Sequence, residues 1–140
     1  MNIESVKSYI DSNSRNKIVI SKHQIFDIEF LNIGRELSHE IKLLKDEHRL
    51  AIKSFLLLDE LLLSSIKEND FFGKFLAIEN LSILFEPELK TDFAQILEKY
   101  SSLNTLFVKW DGEIEDGILY FLTKEKGQKI DIKNLSHIIL

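Results

Sequence analysis

The sequence predicts an α/β fold: one three-layer-type domain over residues 1–140, with a mainly parallel sheet flanked by helices and an antiparallel C-terminal extension. Three observations predict it. Short β-branched or apolar runs alternate with longer helix-periodic segments through the first hundred residues. Strand-like runs then crowd together after residue 105, separated by the turn signals Asp111-Gly112, Asp116-Gly117 and Lys126-Gly127. One proline and five glycines leave little room for a linker, and no repeat is present.

Ile3, Val6, Tyr9 and Ile10 share a helical face, and Asp11-Ser12-Asn13-Ser14 ends that first helix. Lys17–Ile20 and Glu29–Ile33 are compact strand-like runs, the second broken by Gly34. From Arg35 to Lys45, Leu37, Ile41 and Leu44 fall at spacings of four and three, an amphipathic helix. Glu47 to Lys67 reads as a longer helix, apolar on nearly every side, which either is buried on several faces or lends one to a partner. Phe75–Ile78 is a buried strand and Leu81–Phe85 one helical turn. Pro87 then suits the first position of a helix running to about Tyr100. Thr105–Trp110, Ile118–Thr123, Lys129–Ile132 and Ile138–Leu140 complete the strands. The runs at 17–20, 30–33, 75–78, 105–110 and 118–122 are expected in one sheet.

Composition excludes several classes of function. The chain has no cysteine, which removes disulfides and thiolate chemistry and suits a reducing compartment. A net charge of −5 disfavours nucleic acid as a ligand. Residues 1–58 carry 9 basic and 8 acidic side chains, and residues 59–140 carry 9 and 15, so the acidic excess lies in the second part. That excess either faces water or meets a basic protein. No apolar run approaches the roughly 20 residues of a membrane span, and Met1-Asn2-Ile3-Glu4 has no signal-peptide character, so the expected location is cytoplasmic.

Ala77-Ile78-Glu79-Asn80 has the outline of a Walker-B element, an apolar strand with an acid at its carboxyl end. In a P-loop ATPase that acid helps hold magnesium beside the phosphates. The ordinary alternative is that Glu79 and Asn80 cap a strand and its turn. It overlaps the second of three blocks that stand in order: Asn32-Ile33-Gly34-Arg35-Glu36-Leu37-Ser38, the stretch from Ile78 through Pro87 to Lys90, and Leu106-Phe107-Val108-Lys109-Trp110-Asp111-Gly112-Glu113. With Ile118-Leu119-Tyr120-Phe121 they resemble the small P-loop ATPase-like component of BREX bacteriophage-exclusion systems, over roughly residues 17–140. The resemblance implies a P-loop-type fold, here degenerate, and a role in phage defence beside larger proteins.

The chain departs from that family at the phosphate loop. No G-x-x-x-x-G-K-[ST] occurs, and Lys17–Ser21, which matches the strand before that loop, is followed directly by His23-Gln24-Ile25-Phe26-Asp27-Ile28. Six residues are too few for a parallel crossover, so the two runs are expected to pair as a hairpin, or one of them is not a strand. Arg35, beside Gly34, is the one other candidate for a phosphate contact, its alternative being a surface ion pair with Glu36 or Glu40.

The four histidines (His23, His39, His48, His137) show no metal-ligand spacing: His39-Glu40 begins as H-E, but position 43 is leucine. No nucleophile elbow is present. Trp110 is a candidate interface residue or, structurally, a cover for the sheet's edge; Leu57 and Leu61 are candidates on the long helix.

The leading expectation is therefore a non-catalytic interaction or regulatory subunit with protein partners or a second copy of itself, and no cofactor or metal. Glu79, Asn80 and Arg35 are the residues at which a nucleotide would be sought. The alternatives are an ATPase completed by a partner and a small acidic immunity protein that neutralises a basic toxin.

Overall fold

The computed structural model describes residues 3–140. It is an α/β structure whose central sheet is mainly parallel. In chain order the elements are α1 (Ile3–Ile10), β1 (Lys17–Ser21), β2 (Leu31–Asn32), α2 (Ile33–Leu43), α3 (Leu50–Ser64), β3 (Lys67–Asn69) and β4 (Gly73–Glu79). Two 3-10 turns follow, Ser82–Phe85 and Pro87–Leu89, then α4 (Phe93–Ser102), β5 (Thr105–Lys109), β6 (Glu113–Glu115), β7 (Ile118–Tyr120), β8 (Lys129–Asp131) and β9 (His137–Ile139).

The sheet runs β2-β4-β5-β1-β9, all parallel, with β3 added antiparallel to the start of β4. Strand alternation sorts its side chains onto two faces. Ile18, Leu76 and Leu106 lie in register, as do Ile20, Ile78 and Val108, and all six belong to the larger core with Ile33, Leu37, Leu58, Leu62, Ile96 and Leu97 of the helices. Val19, Ala77 and Phe107 point the other way, into a second core with Val6, Ile28, Phe30, Phe72 and Phe75. Both faces are thus covered, which is why these strands read as continuous apolar runs rather than alternating ones.

The route between β1 and β2 corrects the hairpin expectation. β5 and β4 lie between the two strands, which run parallel, so the chain does cross the sheet. It does so without a helix. Lys22–Phe30 forms a strap over the face that α1 also covers, with Ile28 and Phe30 buried in the second core and Ile25 and Phe26 packed on it. Three strand spacings of about 4.8 Å are well within the reach of nine residues at about 3.3 Å each. Among the described residues the strap is the one crossover between parallel strands on this face, to which the β3–β4 turn adds Phe72. The steps β2 to β4, β4 to β5 and β5 to β9 all move the opposite way across the sheet, and their intervening segments pack on the larger core. A reversal of direction with a change of face keeps one handedness throughout.

Several boundaries also differ from expectation. The second run supplies only two strand residues, because Asn32 accepts a hydrogen bond from Arg35 N–H at 2.9 Å and starts α2 at Ile33, two residues earlier than the sequence indicated. The long helix is shorter than 47–67: it begins after Arg49, which takes a left-handed φ of 64°, and it gives way to β3. There Asn69 Oδ1 accepts from Phe71 N–H and Phe72 N–H, turning the chain back into β4. The helix expected from Pro87 splits at Lys90, φ 52°, and restarts with Asp92 capping α4 through Gln95 N–H at 3.1 Å.

The C-terminal region corrects the one-sheet expectation as well. Ile118–Tyr120 is not in the central sheet but in a separate antiparallel one, order β6-β7-β8, which closes over the larger core through Leu119 and Ile130. β9 then returns to the central sheet, parallel to β1 rather than antiparallel.

Candidate functional site at the carboxyl end of the sheet

In an open parallel sheet, ligands bind in the crevice beyond the carboxyl ends of the strands. Here those ends are Asn32 on β2, Glu79 on β4, Lys109 on β5 and Ser21 on β1. The structure brings the sequence-derived candidates Glu79 and Asn80 to this edge and sets Arg35 one turn of chain away, at the start of α2.

Glu79 is in register with Lys109, because Ile78 pairs with Val108 one residue earlier. Their side chains meet at 3.7 Å, and the Lys109 ammonium also stands 6.0 Å from the centre of the Phe30 ring on the strap. The acid at this edge therefore faces a cation of its own chain. A lysine at a strand's end carries no sequence signal for this role, and only the register reveals it.

Asn80 takes a left-handed conformation, φ 55°. Its side-chain amide donates to Asn32 Oδ1 at 2.7 Å, and its carbonyl accepts from Gly34 N–H at 3.0 Å. Asn32 Oδ1 is the same atom that caps α2. Gly34 is required by this closeness: a Cβ there would stand 2.5 Å from Asn80 Nδ2. Two of the first N–H groups of α2, which at a helix start are the natural donors to an anion, are thus taken up: Gly34 N–H by Asn80 and Arg35 N–H by Asn32. Arg35 is 72% exposed and pairs with Glu36 at 3.5 Å, a surface ion pair turned to water.

At β1 the Ser21 hydroxyl donates to the His23 carbonyl, and the Ser21 carbonyl accepts from Trp110 N–H at 2.8 Å. The chain then enters the strap instead of wrapping the strand's end. The cavity beyond β4 and β5, between Asn80, Ser82, Lys109 and Trp110, holds about 80 Å³. Ligand pockets usually run about 300–1,000 Å³, so this one has room for a few waters rather than a nucleotide.

The interface candidates are redistributed. Trp110 is 3% exposed: its ring stacks on Phe93 at 6.0 Å, meets Phe85 edge-on at 5.8 Å, and its indole N–H donates to the Glu113 carbonyl at 3.3 Å. It is an interior residue and offers no surface to a partner. Leu57 and Leu61 are partly buried and pack against the larger core. The apolar residues of α3 that do face water are Ile52, Phe55, Leu56 and Leu63.

Sequence reasoning missed one further cluster. Asp59 of α3 accepts hydrogen bonds from Lys99 Nζ at 2.7 Å and from the Tyr100 hydroxyl, both on α4. The bond from Lys99, then that from Tyr100, hold the Asp59 carboxyl below its ordinary range against a smaller opposing effect of burial. Burial first, then the bond to Asp59 and its charge, push the Tyr100 phenol well above its ordinary value. The three side chains brace α3 against α4.

Among the described residues no helix is long and apolar enough to cross a membrane, and no group of three or more histidine, aspartate or glutamate side chains is placed to hold a metal ion. Comparison with protein-family models, with curated proteins and with solved structures finds no match.

Proposed function

We propose that this protein is a non-catalytic, P-loop-like interaction or regulatory subunit of a bacterial antiphage defence system. The observation that carries the reading is the engagement of Glu79 and Asn80. The carboxylate at the Walker-B-like position faces Lys109, and the neighbouring amide is bonded to the cap of α2. Magnesium and phosphates need an uncommitted carboxylate, convergent N–H donors and a lysine reaching the phosphates. At this edge the Gly34 and Arg35 N–H donors are bonded within the chain, and the lysine is ion-paired with the acid. The ordered blocks around residues 32–38, 78–90 and 106–113 support the placement among defence components, and the exposed apolar residues of α3 support a role in binding protein.

A tagged pull-down from the native host tests the reading. Co-purification of defence-system proteins, methyltransferase-like or phosphatase-like among them, is the expected outcome. The acidic excess of residues 59–140, nine basic against fifteen acidic side chains, favours one second reading, an immunity protein. Recovery of a small basic toxin as the stoichiometric partner would replace the first reading by the second.

A further inference from the structure

We infer that the outer face of α3 pairs with the same face of a second copy of this chain, the two helices running antiparallel about a two-fold axis. The inference does not need the defence reading, although both draw on the exposed apolar residues of α3. It starts from the pattern on the helix. Ile52, Leu56 and Leu63 are 58%, 60% and 54% exposed and follow one another at spacings of four and seven, so they form one stripe. Phe55, 49% exposed, widens it on the side toward α4. The position that would complete the stripe is Asp59, and its charge is already met within the chain by Lys99 and Tyr100.

The charges beside the stripe select the occupant and its direction. Lys53 and Glu60 are exposed, seven residues apart, and lie together on the side away from Phe55. An antiparallel copy centred between Leu57 and Leu58 brings Ile52 opposite Leu63 of the second copy and places Leu56 close to the axis. The same centre sets Lys53 beside Glu60 of the second copy, and Glu60 beside its Lys53. The Lys53–Glu60 pair is then formed twice by symmetry. A parallel copy would instead put the two Lys53–Glu60 flanks on opposite sides of the seam, where neither charge meets its opposite. Lys53 now meets Glu47 of its own chain at 2.5 Å in an exposed pair, a contact weak enough to exchange. Antiparallel pairing also opposes the two helix dipoles.

Sedimentation equilibrium and disulfide trapping test this. At about 50 µM, in the range where micromolar association registers, the wild-type chain is expected at twice its 16.3 kDa mass. Leu56→Glu, at an exposed position, is expected to give a folded monomer by circular dichroism. Lys53→Glu is expected to weaken the dimer by about three- to tenfold, and Lys53→Glu with Glu60→Lys to restore it.

The chain lacks cysteine, so introduced thiols report geometry directly. Leu56→Cys should form an intermolecular disulfide on its own. Ile52→Cys should not, since the two copies of residue 52 lie about 16 Å apart along the helices at 1.5 Å per residue, whereas Ile52→Cys with Leu63→Cys should. A monomeric wild type, a dimer unaffected by Leu56→Glu, a swap that fails to restore, or self-linking through Ile52→Cys would each overturn the inference. A wild-type monomer that instead binds another protein through Leu56 would assign the face to that partner.

Discussion

Asn80 and Asn32 meet side chain to side chain at 2.7 Å, the amide of one donating to the oxygen with which the other caps α2. The contact joins the end of β4 to the start of the helix that follows β2, across a sheet edge where parallel strands usually leave a crevice. The Asn80 carbonyl reinforces it by accepting from Gly34 N–H at 3.0 Å. A side chain in left-handed backbone, a helix cap and a glycine are thereby fixed by one another.

Gly34→Ala should therefore destabilise the protein by about 1–3 kcal/mol, because the new methyl collides with the Asn80 amide and the surroundings are packed. Asn80→Gly removes the obstacle and suits the left-handed backbone, φ 55°. The double variant should accordingly be more stable than the sum of the single effects implies. Urea unfolding of the four proteins in the cycle measures this. Strict additivity would separate Gly34 from Asn80 energetically.

The brace between α3 and α4 makes a two-sided pH prediction. Asp59 has a lowered folded value, so its stabilisation is present above its unfolded value near 4 and is lost as pH falls through the folded value. Tyr100 has a raised one, so its contribution is present below about pH 10 and is lost as pH rises beyond that. Tyr100→Phe should flatten the alkaline limb of the stability profile and shrink the acid limb, since Asp59 then keeps only Lys99. Melting temperature against pH for both proteins provides the check, and parallel profiles would contradict the brace.

Trp110 is the single tryptophan and is buried between Phe93 and Phe85. Its fluorescence should be blue-shifted and resistant to iodide, moving to the red only on unfolding. Trp110→Ala should cost about 3–5 kcal/mol through the cavity it leaves. Trp110→Phe should cost distinctly less, since it keeps an aromatic partner for Phe93. An iodide-quenched tryptophan in the folded protein would return it to the surface.

What the sequence made legible follows from how local each signal is. β1, β4 and β5 were readable because strands covered on both faces are apolar without interruption, and α2 because Leu37 and Ile41 repeat at helical spacing. β3 was not, since Lys67, Glu68 and Asn69 are all exposed and become a strand only by pairing with Lys74 and its neighbours. The sheet to which Ile118–Tyr120 belongs is a non-local choice, as is the course of the strap at 22–30, whose Ile25, Ile28 and Phe30 follow no regular period. At the candidate site the acid-ended strand was visible, but Lys109 and Asn32 were not. Their roles depend on strand register and on a contact between residues 48 positions apart.

The central claim is that the sheet edge bearing Glu79 and Asn80 is closed by the protein's own groups and does not serve a nucleotide. Titration calorimetry of the full chain with magnesium and ATP tests it most directly. Up to about 1 mM ligand, where binding is worth only about 4 kcal/mol, the account predicts no saturable heat, and the same flat trace for Glu79→Ala and Arg35→Ala. A saturating isotherm that either substitution abolishes would contradict it and make the protein a nucleotide-binding one.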